Sequence, residues 1–279
     1  MPYKPRVTVY INPASSQQLR DVAGYTLADG SPAIDVVCLF AGNYAASEPP
    51  YLRANNDPST TNPFNKNIQT VLDDGSVGYL LEQGLTVLLT VTNGLHPVGW
   101  SEFTSEDDAT AFAQYLQTDI VEAYGLSGID IDDEYSHGSP NDTSLIMVTT
   151  IMRSLMPEIV ISKALWSDGP YFAATWNGNT LAENLSYGAE MSYGGAPQYR
   201  LPPYTTSGLP AANCLAPSQV SCGFWANQPS SDPGEDVQWL QEHGYAGFMV
   251  FGFDDQANVD LTGTLVNAWY GPGNWNPPS

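Results

Sequence analysis

Four carboxylates fall within five positions at Asp130, Asp132, Asp133 and Glu134, directly after and around Ile129 and Ile131. A β-branched apolar run that leads into a string of acids reads as a strand ending in an active site. Side chains alternate across a strand, so Asp130, Asp132 and Glu134 share one face while Ile129 and Ile131 fill the other. Successive members of that row lie roughly 6.6 Å apart along the backbone, twice the ~3.3 Å rise per residue. Their charges repel, and in a partly desolvated site at least one is expected to hold its proton near neutral pH. A carboxylic acid kept neutral beside carboxylates is what glycoside cleavage uses as a general acid. Glu134, with the longest side chain and nearest the open end of the strand, is the expected donor.

Two other readings of these residues stay open: a cation site and a solvated acidic turn. An EF-hand loop needs Gly at its sixth position and Glu at its twelfth, where this chain has Tyr135 and Asn141. Zinc chemistry has little to work with. The histidines are His96, His137 and His243, there is no His-Glu-x-x-His, and no cysteine pair has zinc spacing. No Gly-x-Ser-x-Gly elbow, Gly-x-Gly-x-x-Gly turn or Walker pattern is present. No metal and no cofactor is called for. His137 follows the acids and reads as a loop residue.

The elements that must position the acids follow from the rest of the chain. Strands are expected at Arg6 to Asn12, Asp35 to Ala41, Thr86 to Val91, Leu126 to Tyr135, Ile159 to Leu165, Tyr187 to Tyr193, Gln219 to Trp225 and Gly247 to Phe253. Several are continuously apolar, as strands of a parallel sheet covered on both faces are. Helical spacing recurs over Ile68 to Gln83, Ser105 to Tyr124, Ser144 to Leu155, Val237 to Glu242 and Leu261 to Trp269. Eight strand units alternating with helices in 279 residues predict an α/β fold, a single (β/α)8 TIM barrel over 1–279 with some helices irregular or shortened. Residues 48–63 read as a long loop, and 271–279, rich in Gly, Pro and Asn, as a flexible tail.

Barrel active sites lie at the C-terminal strand ends. Asn43, Tyr44, Asn93, Asp132, Glu134, Trp166, Glu190, Tyr193, Trp225, Phe251 and Phe253 fall there, a mixture of acids and flat rings that suits a sugar cleft. For each aromatic the core is the competing place.

Thirty acidic against eight basic residues give a net charge of −22, which repels nucleic acid and anionic membrane surfaces. There is no apolar run near the length of a membrane span and no signal peptide; Met1 to Pro5 opens almost directly onto a strand, as in a mature form with an added Met. Sixteen Tyr, seven Trp and nine Phe with much Asn, Gly and Ser resemble a secreted carbohydrate-active protein. Cys214 and Cys222 permit a small disulfide, and Cys38 reads as a buried thiol. Asn141-Asp142-Thr143 and Asn184-Leu185-Ser186 are glycosylation sequons.

Gly128-Ile129-Asp130-Ile131-Asp132-Asp133-Glu134-Tyr135 resembles the signature strand of glycoside hydrolase family 18, Asp-x-x-Asp-x-Asp-x-Glu, with Ser127 in place of the first Asp. The run from Asp132 to Tyr135 is closer to the endo-β-N-acetylglucosaminidases similar to endoglycosidase H than to the chitinases. The stretches Asp35 to Asn43, Val87 to Val91 and Gly244 to Phe251 are similar to the second, third and eighth strands of that subgroup. Met191-Ser192-Tyr193 resembles the sixth-strand Met-x-Tyr, with Gly194 where chitinases usually carry Asp or Asn.

The resemblance implies a secreted enzyme of fungal type, acting as a monomer on an N-glycan or glycoprotein. Its chemistry would be a substrate-assisted retaining hydrolysis through an oxazolinium ion. Glu134 would be acid and base, Asp132 would orient the acetamido group, Asp130 would tune Asp132, and Tyr193 would bond the acetamido oxygen. Glu190, Asn43, Asn93, Trp166, Trp225 and Phe251 are the expected substrate contacts. A chitinase of the same family is the alternative, and a barrel that binds glycan without cleaving it is a third reading.

Overall fold

The computed structural model describes residues 6–57, 59–93, 99–134, 141–206 and 208–278. Eight parallel strands close into a barrel in chain order. They are β1 (Val7–Ile11), β2 (Val36–Asn43), β3 (Thr86–Thr92), β4 (Gly128–Asp132), β5 (Val160–Leu165), β6 (Tyr187–Glu190), β7 (Val220–Phe224) and β8 (Gly247–Val250), and β8 returns to pair with β1. The expected (β/α)8 TIM barrel is present.

Two apolar layers explain the continuous apolar strands. Val9, Ile11, Val37, Leu39, Leu89, Ile129, Ile131 and Ile161 point outward into a large core under the helices. Tyr10, Val36, Cys38, Leu88, Tyr187, Ala189 and Met249 fill the barrel interior as a separate cluster. Burying both faces removes the polar-out alternation that half-exposed strands show.

The outer layer is uneven. Helix α1 (Ser16–Asp21) follows β1, and the expected helix over Ile68 to Gln83 is two, α2 (Lys66–Asp73) and α3 (Ser76–Glu82), because Gly75 turns the chain at φ 81°. Helix α4 (Glu106–Tyr115) is capped by Ser105, whose hydroxyl accepts the Asp108 N–H, and runs on into a π-helical stretch, Leu116–Glu122. Helix α5 (Ser144–Leu155) precedes β5. The next two connections carry only short helices: α6 (Gly169–Ala173) and α7 (Leu181–Asn184), then α8 (Pro197–Arg200) and α9 (Pro202–Thr205). Helices α10 (Pro233–Glu242) and α11 (Gln256–Tyr270) close the ring.

Four expectations need correction. The sixth strand ends at Glu190 rather than reaching Tyr193. Residues 271–278 are docked rather than loose: Trp275 stacks on Tyr25 at 4.5 Å, and Thr26 and Asn276 exchange backbone hydrogen bonds of 3.0 Å. Cys214 and Cys222 are both free thiols, Cys222 lying within β7. Asn184 is buried and donates to Thr149 Oγ1 at 3.1 Å and Thr150 Oγ1 at 2.8 Å, so its sequon is inaccessible.

Candidate active site

Strand β4 begins with a residue that only glycine can be. A Cβ on Gly128 would lie 1.9 Å from the Val160 carbonyl oxygen, so β4 and β5 approach closely where the acidic strand starts. Ser127, which stands where the family signature has Asp, accepts the Val87 N–H on its hydroxyl at 3.1 Å and ties the start of β4 to β3.

Register then determines what each acid meets. Thr90, Asp130 and Ser162 are aligned across β3, β4 and β5. Parallel strands in register present aligned side chains on the same face, so Asp130 accepts from Thr90 Oγ1 at 3.0 Å and Ser162 Oγ at 2.5 Å inside the barrel. Burial pushes its carboxyl above the usual range, and those hydroxyls and Lys163 pull the other way. The Tyr10 hydroxyl acts on Asp130 in the same sense but makes no hydrogen bond of regular geometry.

Asp132 stands one layer higher, 3% exposed, at the end of β4. Burial raises its carboxyl well above the usual range, followed by the charges of Glu134 and Asp130, with Lys163 opposing them. Its Oδ1 is buried with no hydrogen-bond partner. Glu134 lies two residues past the strand, half-buried, and its carboxyl comes within hydrogen-bonding reach of Asp132. The two groups converge rather than keeping the strand repeat, because the chain leaves β-geometry after Asp132.

Asp133 belongs to a different network. Asn93 Nδ2 donates to its Oδ1 at 2.8 Å. Nearby, Lys163 is fully buried; its ammonium pairs with Asp168 at 2.8 Å and donates to the Ala164 carbonyl at 2.8 Å. Burial pulls Lys163 down, but Asp168 and Asp133 outweigh it and hold its pKa above the ordinary lysine value.

Asp132 and Glu134 border a pocket of about 300 Å³ whose walls include Tyr10, Phe40, Met191, Tyr193, Trp225 and Phe251. Tyr193 has a left-handed φ of 46°. Its ring lies 5.6 Å from Trp225 and 6.3 Å from Phe251. Burial first, then Asp132 and Glu134, press its hydroxyl well above the ordinary range, so it keeps its proton and can donate.

The structure thus brings together Asp132, Glu134, Tyr193, Trp225 and Phe251, with Asp130 beneath. Four expected contacts lie elsewhere. Glu190 faces outward from β6 and is held by Arg200. Asn93 is buried against Asp133. Asn43 is half-buried at the end of β2 and does not border the pocket. Trp166, 49% exposed just past the end of β5, does not border the pocket. Tyr44 and Phe253 are buried in the outer core. Tyr135, His96 and His137 lie outside the described residues. Among the described residues no group of three or more His, Cys, Asp or Glu side chains is arranged to hold a metal, and no helix is long and apolar enough to cross a membrane.

Tyr10, Phe40 and Lys163 were not singled out from sequence. Lys163 left a usable trace: a lysine in the middle of an apolar strand needs a buried acid. The pocket rings left none, since an inward ring reads like an outward one where both faces are apolar.

No family model matches the chain. It is similar to an endo-β-N-acetylglucosaminidase of Flavobacterium sp. (strain SK1022). The two are 27% identical over 266 residues, 92% of this chain and 78% of the relative, which bears out the resemblance read from the acidic strand. Among solved structures, EndoBT-3987 of Bacteroides thetaiotamicron with a Man5GlcNAc product superposes with a TM-score of 0.75 at 20% identity, covering 99% of this chain and 63% of that one. The same protein has been solved with a Man9GlcNAc2Asn substrate. A Rhizomucor miehei chitinase reaches 0.65 at 13% identity, over 94% of this chain and 99% of that one. These structural likenesses concern the fold. The chain spans just under two thirds of the EndoBT-3987 chain.

Proposed function

We propose that the chain is an endo-β-N-acetylglucosaminidase that hydrolyses the GlcNAc-β-1,4-GlcNAc core of N-linked glycans of the high-mannose type. The observation that carries the reading is the convergence of Glu134, Asp132 with its unpartnered Oδ1, and the Tyr193 ring on one pocket. The relative of that name supports it.

The geometry suits a substrate-assisted route. The resemblance to family 18 implies that the nucleophile is the substrate's own acetamido oxygen rather than an enzyme carboxylate. As it bonds to the anomeric carbon, the glycosidic C–O bond breaks and Glu134 gives its proton to the departing oxygen. Asp132 Oδ1 accepts the acetamido N–H and stabilises the positive charge of the oxazolinium ring. The Tyr193 hydroxyl donates to the acetamido oxygen and orients it. Glu134, now a carboxylate, takes a proton from water, which attacks the anomeric carbon from the vacated side as the bond to the acetamido oxygen breaks, so the acetamido group is regenerated and the configuration retained. Asp130, fixed by Thr90 and Ser162, presses on Asp132 from below. Secretion and action as a monomer belong to the same proposal; the first rests on composition and the resemblance, the second on the resemblance alone.

Mass spectrometry of a high-mannose glycoprotein before and after incubation, beside a chitin oligomer, tests the reading. One GlcNAc left on Asn is the expected result. Cleavage of the chitin oligomer alone would make the chain a chitinase, and silence on both, with glycan bound, a binder.

A further inference from the structure

The loop from Glu190 to Gly195 carries Tyr193 into the pocket, and one buried side chain holds it at every turn. Arg200, at the end of α8, donates from Nε to Glu190 Oε2 at 2.6 Å and to Ser192 Oγ at 3.2 Å. Its Nη1 donates to the Gly195 carbonyl at 3.0 Å. Its Nη2 pairs with Glu190 Oε2, reaches the Glu190 carbonyl at 3.4 Å and bonds the Gly223 carbonyl of β7 at 2.9 Å, two residues before Trp225. Glu190 completes the ring by accepting the Ser192 N–H on Oε1 at 2.9 Å.

Enclosed by these bonds, Tyr193 adopts a φ of 46° and Gly194 one of 68°. A bulky residue in the left-handed region persists only where its surroundings over-determine it. The planar fork of a guanidinium, reaching both ends of a six-residue loop, supplies that constraint. A lysine would place one point charge where all three guanidinium nitrogens now donate.

We infer that Arg200 and Glu190 are positioning residues for Tyr193, a buried clamp that holds its hydroxyl at the acetamido site and its ring against Trp225. The inference rests on the hydrolytic reading above, but its physical content, the fixing of Tyr193, does not depend on turnover.

The test uses Arg200→Lys, which keeps the charge, and the pair Glu190→Gln with Arg200→Met, which removes both charges together and leaves no unpaired buried charge. Each is made with Tyr193 and with Tyr193→Phe, and folding is checked by thermal melts. On a high-mannose glycopeptide, Arg200→Lys is expected to lower kcat ~10²-fold, the loss typical of a misplaced catalytic contact, with KM changed little. In the Tyr193→Phe background the same change is expected to cost under ~3-fold, because the hydroxyl it positions is gone. Equal losses in the two backgrounds, or unaltered kcat in folded variants, would overturn the inference. A second readout needs no substrate: the ¹⁹F resonance of 3-fluorotyrosine at position 193, assigned through Tyr193→Phe. It is expected to shift and broaden in Arg200→Lys, and an unchanged resonance would overturn the inference even if the wild type cleaves no glycan. Such silence with a shifted resonance would sink the hydrolase alone.

Discussion

Replacing Asp132 by Asn should make the protein more stable while abolishing its turnover. Asp132 is 3% exposed, its Oδ1 has no partner, and burial, Glu134 and Asp130 all disfavour its charge. At neutral pH the folded chain must either hold that charge or take up a proton. The second route bounds the first: protonating a carboxyl of ordinary value 3.8 at pH 7 costs about 1.36 kcal/mol per unit, or about 4 kcal/mol. Lys163 lowers the penalty. Asparagine keeps the shape and removes the charge, so the gain at pH 7 should fall between ~1 and ~4 kcal/mol, with a rise in Tm of roughly 2–4 °C for each. The pH dependence gives the sharper check. A carboxyl raised in the folded state binds a proton that the unfolded chain has already released, so wild-type stability falls as pH climbs from about 4 through the raised value. Asparagine escapes that fall. Thermal melts of both proteins from pH 4 to 8 should show a gain near zero at the acid end and growing toward neutrality. A variant less stable at pH 7, or a gain independent of pH, would refute the reasoning.

Glu134→Gln should lower kcat by at least ~10²–10⁴ with glycan binding retained in calorimetry; near-wild-type turnover would remove Glu134 as the acid. Lys163→Met breaks the 2.8 Å buried pair with Asp168, leaves a carboxylate without its cation, and should cost ~3–5 kcal/mol in urea denaturation; a loss below ~1 kcal/mol would show the pair to be dispensable. Gly128→Ala drives a Cβ into the Val160 carbonyl, so stability should fall by at least ~1–3 kcal/mol and turnover with it, as the strand carrying the acids shifts; an unchanged Tm would mean that β4 and β5 separate freely.

Much of the barrel was legible because its signals are local. The runs Val36 to Ala41 and Val87 to Val91 are almost wholly apolar, as strands buried on both faces of a parallel sheet are. The acids were legible for the same reason, since Asp130 and Asp132 alternate with Ile129 and Ile131 and the alternation alone assigns their face. What was not legible depends on partners distant in sequence. Glu190 sits at a strand end like Asp132, but it alternates with the inward Tyr187 and Ala189, so the pleat turns it outward, where Arg200, ten residues on, claims it. Asn93 is likewise claimed by Asp133, forty residues away. The terminal segment has the composition of a loose tail, but Trp275 packs on Tyr25 and against Gly263, a contact no local pattern announces.

The two faces of β4 and β5 have opposite electrostatic tasks, and the site depends on both. Inside the barrel, Thr90, Asp130 and Ser162 form one polar layer and Asp132 stands above it, so negative charge accumulates in a region with little water. Such a stack raises carboxyl pKa values, as acid chemistry needs, but it would also destabilise the fold if nothing opposed it. The opposing charge lies on the far face. Lys163 is in register with Ile131, the outward residue between the two acids, and its ammonium is fully buried against Asp168. From there it favours the ionised forms of Asp130 and Asp132 without entering the pocket. A cation inside the barrel would neutralise the acids outright and block the substrate. Placed one pleat away, behind the strand, it tempers their charge and leaves Asp132, at the pocket wall, with an unpartnered Oδ1.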